Sequence, residues 1–165
     1  MAHVGQIPQV KLLIGLMYKD RQVYDSALPI LKQKFGQVYD VLEYDFDFTD
    51  YYEAETGKGL KKSLLIFKNQ IDRDGLAEIK LWTNSVEDKY SENSKRKINI
   101  DPGYLTSHNV VLASAKEMPH KISIGKGIFG DVVLEFRSGE FQASRHTFPD
   151  FKSDKVRDFL AKNRK

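Results

Sequence analysis

Two nearly continuous apolar runs mark the centre of the predicted fold. They cover residues 10–18 (VKLLIGLMY) and residues 60–68 (LKKSLLIFK). Such runs are typical of strands buried on both faces, because both sets of alternating side chains are then apolar. Between these runs, apolar and charged residues alternate at the end of residues 37–48, which is typical of an edge strand with one charged face. The pattern therefore predicts two central strands and one edge strand.

A helix is predicted after the first apolar run. Asp20 can cap it, its apolar positions continue to Phe35, and Gly36 provides a C-terminal stop. Pro29 lacks the N–H that would bond to the carbonyl four residues earlier. We therefore expect the helix either to kink at Pro29 or to begin late, near Ser26.

The second helix is predicted to open at Asp72 and to be followed by a short strand, residues 96–100, that ends at the turn Asp101-Pro102-Gly103. The apolar residues of this helix recur at steps of three and four; they are Leu76, Ile79, Thr83, Val86 and Tyr90. The resulting β-α-β-β-α-β order is the ferredoxin-like arrangement. Its first and third strands lie in the centre of a mostly antiparallel sheet, and its second and fourth strands lie at the edges. We therefore expect an α+β fold with a ferredoxin-like core.

The remaining residues predict an extension of this core. In residues 104–116, β-branched residues and alanines give opposite indications, and we favour a helix. Residues 121–124 and 131–137 indicate a hairpin through a glycine-rich turn. Ser153 can cap a final amphipathic helix. The C-terminal extension is thus expected to consist of a β-hairpin and a terminal helix.

Length and composition suit one globular domain. The chain has 165 residues, of which 41% are hydrophobic and 30% charged, enough to form one core without disulfides or metals. We expect a single domain over residues 1–165, made of a flexible lead-in (1–9), the βαββαβ core (10–100) and an extension packed on the core (101–165).

Charge and composition exclude several classes of function. Cysteine is absent, which excludes disulfides, thiolate catalysis and cysteine-ligated metals. The net charge is only +3 and the lysines are scattered, so a nucleic-acid partner is not expected. No apolar run is long enough to span a bilayer, and the N-terminus lacks a signal-peptide pattern. We therefore expect a cytoplasmic protein without a membrane partner.

The acidic and aromatic stretch at residues 45–59 (DFDFTDYYEAETGKG) is the first candidate site. It combines five carboxylates with four aromatic rings. Mg²⁺ and Mn²⁺ bind carboxylate oxygens, so Asp47, Asp50 and Glu53 are candidate metal ligands, and Tyr51 is a candidate stacking or hydrogen-bonding group. Alternatively, these carboxylates line a solvated strand face or cap a short helix. Both interpretations stay open.

The second candidate site is the segment NIDPGYL, residues 99–105. Its Pro-Gly pair is expected to form a tight turn that presents Asp101 and Tyr104 at a strand end, although the same residues could simply form a well-capped turn. His120 is near Lys116 in the sequence, and both are candidate contacts for a phosphate or carboxylate. A plain surface histidine is the alternative.

Glycine-rich nucleotide loops receive little support. Residues 125–130 (GKGIFG) match a phosphate-covering loop, but the β-rich sequence VVLEF follows them where a dinucleotide fingerprint needs a helix. We favour a plain hairpin turn. No Walker A sequence is present, so P-loop hydrolysis of GTP or ATP is not expected.

Several segments, spread over nearly the whole chain, carry a resemblance to a known family. They are residues 46–53 (FDFTDYYE) with Gly57, residues 80–84 (KLWTN), residues 99–105 (NIDPGYL), Lys116 with His120, residues 127–128 (GI), and Thr147 with Pro149 and Asp150. In these segments the chain resembles a prokaryotic family catalogued as domain of unknown function 4416, whose members are often labelled "GTP-binding protein". The resemblance implies no particular activity. His146, Phe148 and Phe151 stand where the family pattern has Trp, Tyr and Tyr, which weakens a ligand-bonding role for that segment.

Two functions from different classes are considered. The first is binding of a small phosphorylated or nucleotide-like ligand, with Mg²⁺ or Mn²⁺ as a possible cofactor. The second is a non-catalytic protein–protein interaction domain, which a large exposed apolar sheet face without a pocket would favour. The candidate ligand-binding residues are Asp47, Asp50, Tyr51, Glu53, Lys80, Asn84, Asp101, Tyr104, Lys116 and His120. The ferredoxin-like topology separates Asp50 from Asp101, so either there are two sites or the extension brings Lys116 and His120 to one of them.

Overall fold

Antiparallel β-structure dominates the computed structural model, which describes residues 1, 3–48 and 58–165. The strands are β1 (Gln9–Tyr18), β2 (Val38–Asp45), β3 (Lys61–Asp72), β4 (Ser91–Glu92), β5 (Lys95–Arg96), β6 (Ile98–Leu105), β7 (Asn109–Ser114), β8 (Ile122–Gly125), β9 (Ile128–Arg137) and β10 (Glu140–Ala143). The α-helices among the described residues are α1 (Arg21–Phe35), α2 (Leu76–Lys89) and α3 (Asp154–Asn163). The fold is therefore mixed α+β, as predicted.

β1 lies inside the main sheet, between β3 and β6. The strand order is β10-β9-β7-β6-β1-β3-β2, with β8 also paired to β9, and the pairings are antiparallel. β4 and β5 form a separate two-stranded ribbon. The two apolar runs are thus internal strands, β1 and β3, and the alternating run is the edge strand β2. All three predictions are confirmed.

The first helix begins where its cap predicts. The Asp20 carboxylate accepts a hydrogen bond from the backbone N–H of Gln22 at 2.8 Å, and α1 then runs through Pro29 to Phe35. A late start near Ser26 is therefore wrong. Pro29 lies on the exposed side of α1, where water can bond to the carbonyl that the proline leaves free.

The turn predicted at Asp101-Pro102-Gly103 is also wrong, because β6 continues through these residues. One side of β6 pairs with β1, while β7 pairs with the other side only from Gly103 onwards. The backbone N–H and C=O of Ile100 point to that second side, and in a strand the backbone groups of the residue two positions later, Pro102, point the same way. None of the described strands pairs with β6 on that side at Pro102, so no strand hydrogen bond is lost because proline lacks an N–H.

The sheet continues past β6, so the prediction that the fourth strand lies at an edge is wrong. β7, β9 and β10 extend it. Residues 104–116 contain the strand β7 and not the favoured helix, because the β-branched pair Val110-Val111 packs between β6 and β9. The predicted hairpin is confirmed as β8 and β9, and the terminal helix as α3. The Ser153 hydroxyl donates to the carbonyl of Asp150 at 2.6 Å and makes no capping bond to α3.

Helices cover both faces of the central strands. On one face, α1 and α2 pack against β1 residues that include Leu12 and Ile14. On the other face, α3 and a 3₁₀ turn at Pro149–Lys152 pack against Leu13 and Met17. This arrangement explains why β1 is apolar on both sides. No helix in the described part of the chain is long and apolar enough to cross a membrane.

Candidate functional site

A cleft opens where β6 and β7 separate. These strands share only three residue pairs, which start at Gly103 and Leu112. A Cβ atom on Gly103 would lie 2.3 Å from the carbonyl oxygen of Val111, so the close approach requires glycine. Before this point β6 stays with β1, while β7 follows β9. The gap forms part of a cavity of about 800 Å³, a size that suits a small-molecule ligand.

Side chains of α2 take the place of the missing strand along the open side of β6. Glu87 Oε1 accepts a hydrogen bond from the backbone N–H of Ile100 at 2.6 Å, and Lys80 Nζ donates to the Ile100 carbonyl at 3.0 Å. Burial raises the pKa of Glu87, and the charge of Lys80 opposes this shift. Both backbone groups at the open edge are therefore satisfied within the protein.

The same helix is tied to β6 by a chain of charged and polar groups. Arg96 Nη1 lies 3.2 Å from Glu87 Oε2 and donates to Asn99 Oδ1 at 3.0 Å. Asn99 Nδ2 donates to Asp101 Oδ2 at 2.6 Å, and Lys80 Nζ lies 3.3 Å from Asp101 Oδ1. Lys80 and Asp101 therefore already have charged partners in this wall of the cavity.

A buried ion pair borders the cavity on the face covered by α3. Lys62 Nζ and the Tyr44 hydroxyl both donate to Asp150 Oδ2, each at 2.7 Å. The Lys62 ammonium also lies over the rings of Phe46 and Phe151, at 5.4 and 5.1 Å from their centroids. Burial, followed by the charge of Asp150, raises the pKa of Tyr44. The other oxygen, Asp150 Oδ1, is buried and has no hydrogen-bond partner within the described part of the chain.

The loop between β7 and β8 supplies the third wall. Lys121 Nζ lies 2.9 Å from Ser114 Oγ, which also accepts the backbone N–H of Lys116 at 3.0 Å. Burial lowers the pKa of Lys121, and the nearby charge of Asp131 opposes this shift. Within the described residues, neither Lys116 nor Lys121 forms a salt bridge. These two lysines differ in this respect from Lys80.

His120 lies beside this wall. Its Nε2 is 3.5 Å from Asp131 Oδ2, and its ring stacks on that of His146 with centroids 4.0 Å apart. Asp131 is 2% exposed, and among the described residues its Oδ2 forms no hydrogen bond beyond this long contact with His120. Two carboxylates that line the cavity, Asp131 and Asp150, therefore each have a buried oxygen that these residues leave unsatisfied.

Four of the residues predicted to contact a ligand line this one cavity. They are Lys80, Asn84, Asp101 and Lys116. His120 adjoins it through Asp131. The structure thus brings together side chains from α2, β6 and the loop after β7, which the sequence presents as separate segments.

The other predicted residues lie elsewhere. Tyr104 is not among the cavity-lining residues; it packs against the cluster around Leu76, and burial raises its pKa. Contrary to prediction, no turn presents it at a strand end. Asp47 is exposed and does not line the cavity. Asp50, Tyr51 and Glu53 lie outside the described residues, so the predicted acidic site and its relation to Asp101 stay predictions.

The cavity-lining residues that the sequence analysis missed as ligand contacts include Lys62, Ser114, Lys121, Asp131 and Asp150. Lys62 carried a local signal, because it is a charged residue within an apolar run. It lies two and four positions before Leu64 and Ile66, so the strand period places all three on the same buried face of β3. The remaining four residues belong to separate elements, and only the tertiary structure brings them to the cavity.

The metal hypothesis gains no ligand set from the described residues. They contain no group of three or more His, Asp or Glu side chains placed to hold a metal ion. Two of the three predicted ligands, Asp50 and Glu53, lie outside the described residues. A Mg²⁺ or Mn²⁺ site in that segment therefore remains a prediction.

Comparison with known proteins gives a family and no activity. The model of a family described as "Domain of unknown function (DUF4416)" matches residues 8–165. No curated protein and no solved structure matches the chain. The function therefore has to be argued from the cleft itself.

Proposed function

The chain belongs to the DUF4416 family, and from the cleft we propose that the protein binds a small phosphorylated or nucleotide-like ligand between β6 and β7. The observation that carries this proposal is the contrast among the cavity lysines. Lys62 and Lys80 are paired with Asp150 and Asp101. Lys116 has no carboxylate partner within the described residues, so it is a cation that can bind an incoming anion.

The unpaired carboxylate oxygens support the same type of ligand. Asp131 and Asp150 line the cavity, and among the described residues no donor forms a hydrogen bond with Asp131 Oδ2 or Asp150 Oδ1, which are both buried. Leaving a buried acceptor unsatisfied costs about 1–3 kcal/mol, and more when it is charged. Binding that turned these oxygens towards hydroxyl or amino groups of a ligand would remove this cost. A sugar phosphate or nucleotide has both an anionic group and such donors.

The fold around the cleft supports a ferredoxin-like interpretation. We propose that β6, β1, β3 and β2, together with α1 and α2, form a βαββαβ unit within a single domain over residues 1–165. The antiparallel order β6-β1-β3-β2 supports this proposal. In this interpretation β7, β9 and β10 are additions to the fourth strand, and the ligand lies where the added strands separate from the unit.

The alternative function, a protein–protein interaction domain, has one specific observation in its favour. Tyr39 and Val41 on the edge strand β2 are 68% and 50% exposed. An open edge can pair with a strand of a partner. However, helices cover both faces of β1, and this function was expected to show a large apolar face without a pocket. Ligand binding therefore has the stronger support.

A thermal-shift screen tests the proposed function. Inorganic phosphate, ribose 5-phosphate, GMP and GTP are each added with and without Mg²⁺ or Mn²⁺. A ligand present at about 100 times its Kd stabilises the folded state by about 2.7 kcal/mol, which corresponds to a rise in Tm of about 5–10 °C. No rise with any compound contradicts the proposal.

Variants locate the binding site. Lys116→Ala should weaken binding about 10-fold to 100-fold, because it removes a charge-assisted hydrogen bond worth about 1.5–3 kcal/mol. Lys32→Ala, at an exposed position of α1, is the matched control and should leave the affinity unchanged. Equal affinities in these two variants would place the ligand outside the cleft.

A further inference from the structure

A serine and a lysine meet at the cavity wall, where the Lys121 amine donates a hydrogen bond to the Ser114 hydroxyl and that hydroxyl donates to the carbonyl of Lys116 at 3.3 Å. Ser114 is the last residue of β7, and Lys121 directly precedes β8. Lys121 Nζ lies 2.9 Å from Ser114 Oγ, and both residues line the cavity. A serine hydroxyl becomes a useful nucleophile when a group at this distance can take its proton. Paired serine and lysine side chains are one of the known arrangements that achieve this.

The loop between the strands holds the hydroxyl in place. The backbone N–H of Lys116 donates to Ser114 Oγ at 3.0 Å. That bond alone closes a turn of the kind that serine often forms with the residue two positions later. The contact with Lys121 is additional, since it joins Oγ to a side-chain amine from the far end of the loop. The turn therefore holds the Ser114 hydroxyl in place, and the Lys121 amine lies within hydrogen-bond distance of it.

Lys121 is in surroundings that favour its neutral form. Burial is the largest influence and lowers the pKa of its amine. Asp131 and Asp101 oppose this shift, whereas the positive charges of Lys116 and Lys80 add to it. A lower pKa leaves a larger fraction of the amine neutral, and only the neutral amine can accept a proton.

We propose that Ser114 is a catalytic nucleophile and Lys121 its general base, in the hydrolysis of a carboxylic ester of a small anionic molecule. Because Lys116 would hold the anionic group, this inference rests on the proposed function. Ser114 Oγ forms a bond to the ester carbonyl carbon while its proton passes to the neutral Lys121 amine. The tetrahedral intermediate then breaks its bond to the alcohol oxygen, which leaves with the proton from Lys121.

Water completes the reaction. A water molecule gives a proton to Lys121 and attacks the acyl carbon, and the bond to Ser114 Oγ breaks as the hydroxyl regains a proton from the lysine. The net reaction converts ester and water to acid and alcohol, with both residues regenerated. No metal or redox cofactor is needed for this balance.

Covalent labelling tests the nucleophile directly. Phenylmethanesulfonyl fluoride sulfonylates an activated serine by forming an S–O bond and releasing fluoride. Peptide mass spectrometry should locate the label on Ser114 in the wild-type protein and find none there in Ser114→Ala. Ser85, an exposed serine of α2 whose hydroxyl donates to the carbonyl of Trp82, provides the control, and Ser85→Ala should label like wild type. Absence of label on wild-type Ser114 overturns the proposal.

The base is tested with Lys121→Arg, which keeps the positive charge but cannot accept a proton near neutral pH. Labelling of Ser114 should slow by about 100-fold or more. In wild type the labelling rate should rise with pH as Lys121 loses its proton, and it should level off below the usual pKa range of a lysine. The variant should not show this rise. Equal labelling rates in the two proteins would show that Lys121 is not the general base and only holds the loop in place.

The ester chemistry is tested with 4-nitrophenyl acetate. Wild type should release 4-nitrophenolate with transient acetylation of Ser114, and Ser114→Ala should lose this release above the buffer rate. Acetylation confined to lysines contradicts the proposal. Anion binding is measured separately, in the thermal-shift screen on the wild-type protein. Binding without labelling would therefore refute only the catalytic pair, whereas labelling without binding would refute only the proposed ligand class.

Discussion

At the scale of single residues, two adjacent lysines of β3 show how position determines the role of a charge. Successive side chains of a strand point to opposite faces. Lys61 is 47% exposed in its side chain and lies 3.4 Å from Asp45 at the surface. Lys62 is 9% exposed and lies 2.7 Å from the fully buried Asp150. The first pair is screened by water, and the second is not.

Replacement of each lysine by methionine measures this difference. Lys62→Met should lower the free energy of unfolding by about 3–5 kcal/mol, because Asp150 would keep a buried charge without its cation. Lys61→Met is the matched control and should change it by no more than about 1 kcal/mol. Urea denaturation of both variants gives the two values. A loss at Lys62 no larger than that at Lys61 would show that Asp150 does not depend on its partner.

At the scale of elements, the cleft depends on where β6 and β7 begin to pair. Gly103 permits the close approach at the first pair, and Pro102 directly before it has no N–H for a neighbouring strand. Glu87 and Lys80 of α2 then bond to the backbone that β7 leaves free. The start of pairing, the proline and the two side chains of α2 therefore define one boundary of the cavity.

A methyl group at Gly103 should separate the two strands. Gly103→Ala would bring its Cβ within 2.3 Å of the Val111 carbonyl oxygen, and we expect a loss of at least about 1–3 kcal/mol in stability. Gly75→Ala is the control, since Gly75 has an ordinary φ of −76° and open space around it, and it should be neutral or stabilise by about 0.4–1 kcal/mol. Thermal unfolding compares them. Equal stability of the two variants would contradict the close strand approach.

At the scale of the whole molecule, α3 closes the face of the sheet that α1 and α2 leave open. Val156, Phe159 and Leu160 of α3 join the same buried cluster as Leu13 and Met17 of β1. Burial of one such side chain contributes about 1.5–3 kcal/mol. Three of them contribute an amount comparable with the total stability of a typical domain, so the C-terminal helix belongs to the core.

Truncation of one buried side chain tests this role of α3. Leu160→Ala should lower the free energy of unfolding by about 2–5 kcal/mol, because Leu160 is fully buried and its loss leaves a cavity. Asp158→Ala, at an exposed position of the same helix, should stay within about 0.5 kcal/mol of wild type. Chemical denaturation followed by tryptophan fluorescence provides both values. A neutral Leu160→Ala would mean that α3 is only loosely attached.

The amino-acid sequence by itself determined those elements whose signals are local. The apolar runs of β1 and β3, the alternation of β2, the capped start of α1 and the hairpin of β8 and β9 follow from periodicity and turn residues. Such patterns record which faces of an element are buried, and they need no knowledge of what lies opposite. The Pro-Gly pair in β6 was misinterpreted because its local signal also fits a turn.

Only the tertiary structure decided the site. Lys62 and Asp150 are separated by 88 positions in the chain, and Tyr44 and Asp150 by 106. Ser114 and Lys121 meet because the loop between β7 and β8 returns on itself, and the cleft exists because β7 leaves β6 to follow β9. Periodicity reports whether a residue is buried, but the partner of a buried charge depends on how distant elements pack.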